Sequence, residues 1–233
     1  MWYNMPAMDT VAILIPAYQP DGNLVALVEA LRTEFAHVVV VDDGSTEGRE
    51  ALDAIRGRVD ALLAHQANRG KGAALKTGLA WIRKHLPDVA GVVTADADGQ
   101  HAPDDIRRVA EATATHAGGL VLGVRTFEGR IPFRSRWGNG WTRLLFRMLT
   151  GLAIRDTQTG LRGIPADLLD RVTALPGDRY EYETRMLVDA RHHASPPLQV
   201  PIRTVYLDGN RSSHYRPFRD TLLTQAALWF HRR

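Results

Sequence analysis

The regular alternation of short apolar runs with helically spaced segments, across the first half of the chain, is what most constrains its fold. Val11–Ile15, His37–Val41, Ala61–Ala64, Gly91–Ala95 and Leu120–Val124 are apolar runs of strand length. Between them, 23–35 has apolar residues at 24, 27, 28 and 31, and 72–85 sets Leu75, Leu79 and Ile82 on one face. A shorter helix is predicted over 50–55, and Pro103 suits the first turn of another. A strand that is apolar at every position must be covered on both faces. The alternation therefore predicts an α/β fold: a Rossmann-like, mainly parallel twisted sheet flanked by helices.

The second half loses this regularity. Residues 127–136 form a glycine- and arginine-rich loop, and 137–152 a helix with Trp141, Leu144, Leu145, Met148, Leu149 and Leu152 on one side. A polar turn at 156–163 leads into a short strand. Helices are predicted over 166–172 and 182–190, a strand over 198–206, a polar loop over 208–214 and a last helix over 218–231. There is no internal repeat and no low-complexity linker. The expectation is a flexible leader, 1–9, and a single domain, 10–233, with halves at 10–124 and 125–233.

The 233 residues are 45% apolar and 24% charged, enough for a sizeable core. Cysteine is absent, which excludes a disulfide framework, thiolate metal ligation and a cysteine nucleophile. Net charge is only +3, yet arginines cluster between Arg125 and Arg147 and again at Arg203, Arg211, Arg216 and Arg219, a pattern that suits an anionic partner. No apolar run approaches the ~18 residues needed to cross a bilayer. The first ten residues lack the pattern of a signal peptide, so a cytoplasmic location is expected.

Ligands on sheets of this kind sit beyond the carboxyl ends of the strands. Asp42, Asp43, Asp96 and Asp98 fall at such ends and can meet in one crevice. Asp96-Ala97-Asp98-Gly99-Gln100 follows the fourth apolar run. Carboxylates at i and i+2, with an amide oxygen at i+4, can converge on one hard divalent cation, so Asp96, Asp98 and Gln100 form the candidate metal set for Mg²⁺ or Mn²⁺. The alternative is a polar turn that merely ends the strand. Gly70-Lys71-Gly72 opens a helix, whose N-terminus favours anions, although the pattern is not a P-loop. Lys71 near a diphosphate stands beside the alternative of a surface lysine.

Five motifs occur in order: Ile15-Pro16-Ala17-Tyr18, Val41-Asp42-Asp43-Gly44-Ser45-Thr46, Asn68-Arg69-Gly70-Lys71-Gly72-Ala73, Asp96-Ala97-Asp98-Gly99-Gln100-His101 and Asp156-Thr157-Gln158-Thr159-Gly160. Together they resemble the family 2 inverting glycosyltransferases of the glycosyltransferase A fold, over about residues 10 to 215. Within that family, the chain is similar to the dolichyl-phosphate and polyprenyl-phosphate mannosyl- and glucosyltransferases. The resemblance implies a UDP- or GDP-sugar donor, a divalent cation and a polyprenyl phosphate acceptor. A saccharide or other hydroxyl acceptor is the alternative, as is a sugar-nucleotide binding protein without turnover. It also names 10–124 as the nucleotide-sugar half and 125–233 as the acceptor half.

Under that resemblance Pro16, Ala17, Tyr18, Asp42, Asn68, Lys71, Asp96, Gln158 and Ser212 are substrate-binding candidates. Asp98, Asp156, Arg125, Arg136 and Arg211 are the catalytic candidates. Tyr18 could pack on a nucleobase or ribose, or simply fill the rim. Relatives usually continue that motif with Asn-Glu, where this chain has Gln19-Pro20-Asp21. Asp42 could accept from base nitrogens, while Asp43 and Ser45 could cap the helix that follows. His101 could join the metal shell or be a satisfied histidine. A hydroxyl acceptor needs a general base, for which Asp156 is the candidate. A lipid phosphate is already ionised and needs only cations to hold it, and Arg125, Arg136 and Arg211 suit that task. Glu181 and Glu183 are further acidic candidates near the acceptor, or helix-start groups. The amphipathic segments 137–152 and 218–233 could touch a membrane surface or pack on the core. Nucleic acid is not expected, because aromatic residues are not interleaved with the arginines.

Overall fold

In the computed structural model the described residues are 8–125, 146–148 and 150–203. Residues 1–7 of the expected leader, the 127–136 loop, most of the 137–152 helix and everything beyond 203 lie outside them. So do Arg136, Arg211 and Ser212.

The elements run β1 (Val11–Ala17), α1 (Gly22–Leu31), β2 (His37–Asp42), α2 (Arg49–Ile55), β3 (Ala61–Ala64), α3 (Lys71–His85) and β4 (Gly91–Thr94). They continue with α4 (Pro103–Thr115), β5 (Val121–Arg125), β6 (Arg162–Pro165), α5 (Leu169–Thr173), α6 (Glu181–Asp189) and β7 (Leu198–Ile202). One sheet takes them in the order β3-β2-β1-β4-β6-β5-β7. Every pairing is parallel except those of β6, which runs antiparallel to both β4 and β5. The α/β expectation holds, and the sheet is mixed and mostly parallel.

Each strand sends alternate side chains into two apolar layers, as the pleat requires. Ala12, Leu14, Val39 and Val41 meet Leu75, Leu79 and Ile82 of α3 on one face. Ile13, Ile15, Val38 and Val40 meet Leu24, Val28 and Leu31 of α1 and Ile106 and Val109 of α4 on the other. Each fully buried Leu, Ile or Val contributes about 1.5–3 kcal/mol.

Three local features depart from the sequence reading. β1 continues through Pro16 to Ala17, two residues past the apolar run Val11–Ile15. Leu14 O accepts from Ala95 N at 3.1 Å on the β4 side, and Pro16, two residues on, faces the same way. The β4 ladder has ended at Leu14, so the missing N–H of Pro16 breaks no ladder bond. Among the described residues of the 137–152 segment, Phe146 is buried, whereas Met148, expected on the apolar side, is 75% exposed. Finally, β6 enters the sheet antiparallel. The turn before it lies over the carboxyl ends of β4 and β5, so the chain can only run back down between them.

That insertion is tight. Thr113 Oγ1 of α4, which donates to Val109 O at 2.7 Å, packs over Gly163. A Cβ on Gly163 would sit 1.8 Å from that oxygen and 3.1 Å from Val121 Cβ. Gly163→Ala is therefore expected to destabilise the protein by about 1–3 kcal/mol, as overpacking does. A chemical denaturation curve with an unchanged midpoint would contradict this packing of β6.

Candidate active site at the carboxyl ends of the strands

β1, β2 and β4 end side by side, and the segments that follow them build the site. Ala17 pairs with Asp42 in register, and Asp43 N donates to Ala17 O at 2.8 Å. Pro16 and Ala17 are thus part of the strand, and Tyr18 emerges just beyond it, 37% exposed. Gln19 follows with φ +52°. Its backbone N–H donates to Ser45 Oγ at 2.9 Å, its amide donates to Thr46 Oγ1 at 2.9 Å and its amide oxygen accepts from Glu47 N at 2.6 Å. The residue that replaces the usual Asn-Glu start therefore stitches the first loop to the second.

Asp42 Oδ1 accepts from Ser45 N at 3.0 Å and from Ser45 Oγ at 2.5 Å. The alternative in which Asp43 and Ser45 cap the next helix does not hold, because Gly48 stands at the N-cap of α2 with no side-chain bond. Asp43 instead accepts from Arg69 N at 2.9 Å and Gly70 N at 2.7 Å. It thereby fastens the turn that carries Asn68, which is exposed, and Lys71. Gly70 has φ +108°, and a Cβ there would meet Asp178 O at 2.4 Å, so only glycine fits.

Lys71 is the first residue of α3, and its ammonium lies 2.7 Å from Asp96 Oδ1 and 3.1 Å from Glu183 Oε2. Burial works against the ammonium, but the two carboxylates outweigh it and raise the group above its ordinary value. Burial likewise works against the Asp96 carboxylate, and Lys71 overrides it to hold the group at about 2. A Cβ on Gly160 would lie 2.3 Å from Asp96 Oδ2, so the 156–160 turn packs directly on that carboxylate.

Asp98 differs. Its Oδ1 accepts from Gln100 N at 3.0 Å. Burial, and then the neighbouring Asp96 charge, push its carboxyl above the usual range. A carboxylate pair with one member under-compensated suits a divalent cation, which would relieve that repulsion. Among the described residues no three histidine or acidic side chains converge as a closed metal cage. An ion beside Asp98 would therefore complete its shell with water and substrate oxygens, as magnesium usually does. His101 is buried, and its Nδ1 accepts from Asp96 N at 3.1 Å, so that nitrogen serves the turn. Burial lowers its value, which keeps the ring neutral.

Two sheet positions away from β4, Arg125 at the end of β5 grips Asp156 through Nε at 2.7 Å and Nη2 at 3.2 Å. Burial would raise the Asp156 carboxyl, but Arg125 overrides it and holds the group low. Gln158 is exposed, and its N–H donates to Asp156 Oδ1 at 3.1 Å. The two acidic alternatives of α6 divide. Glu181 accepts from the N–H groups of Asp178 and Arg179 and secures the helix start, whereas Glu183 joins Lys71.

Sequence reasoning passed over Arg162 and His65. Arg162 is 1% exposed, donates to Thr159 O at 2.8 Å and to Glu183 O, and sits 3.9 Å from Glu183 Oε1. A charged residue inside the apolar stretch 161–164 was the available signal. His65 carried no such signal, since its partners are distant in sequence.

The sequence model described as Glycosyl transferase family 2 matches residues 12–171. The chain is 28% identical over 220 residues to a UDP-N-acetylglucosamine–dolichyl-phosphate N-acetylglucosaminyltransferase of Methanococcus voltae, covering 85% of this chain and 86% of that one. It is 29% identical over 206 residues to a polyprenol monophosphomannose synthase of Mycolicibacterium smegmatis, covering 82% and 75%. Its fold matches the crystal structure of glucosyl-3-phosphoglycerate synthase from Mycobacterium tuberculosis in complex with Mn²⁺, UDP and phosphoglyceric acid. That match has a TM-score of 0.68 and 19% identity and covers 94% of this chain and 75% of that one.

The Arg125–Asp156 pair has a defined pH signature. Because the folded Asp156 lies below its ordinary 3.8, its contribution is present above that value and is lost as pH falls through the lower folded one. Arg125→Met is expected to cost about 2 kcal/mol at pH 7. The deficit should shrink below about pH 4 as the orphaned carboxyl becomes protonated. Urea melts at both pH values test this, and a deficit independent of pH would contradict it.

Proposed function

The chain belongs to glycosyl transferase family 2, and from that premise we propose that it carries out metal-assisted, inverting transfer of a sugar from a UDP- or GDP-sugar to an acceptor oxygen. One observation carries the reading. The ion pair at 2.7 Å between Lys71, at the start of α3, and Asp96, after β4, gathers the expected donor groups at the carboxyl ends of neighbouring parallel strands.

In this reading the nucleoside lies over Pro16, Ala17 and Tyr18. Asp42 keeps Oδ1 on Ser45 and turns its other oxygen to base N–H groups. Asn68 and Lys71 face the diphosphate, where an ammonium at a helix N-terminus favours negative charge. Asp98 would hold Mg²⁺ or Mn²⁺, with Asp96 and Gln100 beside it. Such an ion, when bound, offsets charge on the departing nucleoside diphosphate. The Mn²⁺ and UDP in the glucosyl-3-phosphoglycerate synthase complex support that choice.

The acceptor is proposed to be a hydroxyl of a small phosphate-bearing molecule. Phosphoglyceric acid in the same complex supports it. The polyprenyl phosphate favoured from sequence takes second place, supported by the two curated relatives that act with dolichyl phosphate or polyprenol. Both acceptors present phosphate, which Arg125 and the sequence-placed Arg136, Arg211 and Ser212 would bind. A hydroxyl acceptor gives up its proton as it attacks, and Asp156 would take it; clasped by Arg125, Asp156 would also order Gln158 and the acceptor turn. The division into a donor half, 10–124, and an acceptor half, 125–233, belongs to this proposal, as does contact of 137–152 or 218–233 with a membrane face. Among the described residues no helix is long and apolar enough to cross a membrane.

Incubation of the protein with UDP-glucose or GDP-mannose and Mn²⁺, with 3-phosphoglyceric acid or undecaprenyl phosphate, should release nucleoside diphosphate and yield a glycosylated acceptor. Asp98→Asn is expected to lower turnover at least about 100-fold, the scale on which loss of charge stabilisation acts, while the thermal melt stays cooperative. Turnover that survives chelation or Asp98→Asn would overturn the metal role. A lipid-linked product alone would reverse the order of the two acceptors.

A further inference from the structure

We propose that His65 is a positioning residue for nucleotide binding: bridging Asp43 and Thr77, it locks the Asn68–Lys71 turn against the carboxyl end of β2. The inference rests on the donor reading above. It assigns work to a side chain that no motif marks.

The His65 side chain is 6% exposed, and both ring nitrogens are engaged. Nδ1 lies 2.7 Å from Asp43 Oδ1, and Nε2 lies 2.9 Å from Thr77 Oγ1 on α3. Asp43 Oδ1 already accepts from Arg69 N, and its Oδ2 accepts from Gly70 N. A carboxylate that takes backbone donors on both oxygens has only acceptor capacity to offer the ring. Nδ1 therefore carries a proton toward Asp43, and Nε2 shares a hydrogen bond with the Thr77 hydroxyl. The two bonds fix one orientation of the imidazole.

The chain of bonds joins three elements. His65 follows β3, and its N–H donates to Asp42 O at 2.9 Å. Asp43 follows β2, and Thr77 stands in the second turn of α3. Between Asp43 and the 65–70 segment the backbones nearly touch: a Cβ on Gly44 would lie 2.3 Å from Ala67 C. Asp42 on one side and Gly70-Lys71 on the other are thus one rigid body, with His65 as its inner strut. Without the imidazole, Asp43 loses the brace that aims its oxygens at the Arg69 and Gly70 amides. The turn then has to be ordered by the ligand, and affinity falls by the cost of ordering it.

Four proteins decide the matter: wild type, His65→Ala, His65→Asn and His65→Gln. Asparagine sets its amide nitrogen near the Nδ1 position and can reach Asp43. Glutamine sets its own near Nε2 and reaches only Thr77. Amide exchange at Arg69 and Gly70 should speed about tenfold or more in His65→Ala, as local opening becomes easier. The Kd of UDP or GDP with Mn²⁺ should weaken about tenfold, with KM following it and kcat changing by less than about twofold. His65→Asn should restore most of both effects and His65→Gln little. Unchanged exchange in a folded His65→Ala protein would overturn the inference, as would equal rescue by Asn and Gln. If His65→Ala does not fold, the contrast between Asn and Gln decides alone. If wild type binds neither nucleotide, the donor reading fails, while the exchange rates still decide whether His65 holds the turn.

Discussion

The ammonium of Lys71, held between Asp96 at 2.7 Å and Glu183 at 3.1 Å, is the contact on which the rest of the site depends. It joins the start of α3, the end of β4 and the first turn of α6. Two carboxylates that close together would repel one another if no cation stood between them, and burial would push at least one to take up a proton. Lys71 holds the Asp96 carboxyl low against that burial. Arg162 completes the balance from below, donating to Thr159 O and lying 3.9 Å from Glu183. Two cations and two anions then sit at the floor of the crevice. Such a group is weak as a source of net stability but strict about geometry, because removal of any member strands its partner.

This arrangement also sets Asp98 apart. Asp96 is paired with Lys71 and packed against Gly160, and its charge acts on Asp98. The result is one carboxylate held low and its neighbour held high, two residues apart. Catalytic sites often separate paired carboxyls in this way, and a divalent cation is the simplest partner for the uncompensated one. The 156–160 turn is tied to the same group, because Gly160 lies against Asp96 while Asp156 is gripped by Arg125.

Much of the fold was legible in the sequence because its signals are local. An apolar run bounded by turn residues reports burial on both faces, and the five such runs of the first half all became strands of the sheet. The ends of those strands, marked by Asp42 and Asp96, pointed to where a candidate site would lie. Three points did not follow from local pattern. Pro16 lies inside β1 because the neighbouring ladder ends before it. Phe146, not Met148, is buried, because a helical segment shows its apolar side only to whatever packs on it. Glu183 bonds Lys71 while Glu181 secures the helix start, a division set by how α6 meets α3.

By itself the sequence determined the layered α/β architecture and the family to which the chain belongs, and it marked the residues of the candidate site. Burial, periodicity and turn chemistry act between residues a few positions apart. Only the tertiary structure decided the antiparallel course of β6, the claim of Lys71 on Asp96 and the brace from His65 to Asp43. Lys71 and Glu183 are 112 positions apart, and His65 and Asp43 are 22 apart. Whether charged groups so distant become partners depends on packing that excludes water between them, and no local pattern of residues encodes that.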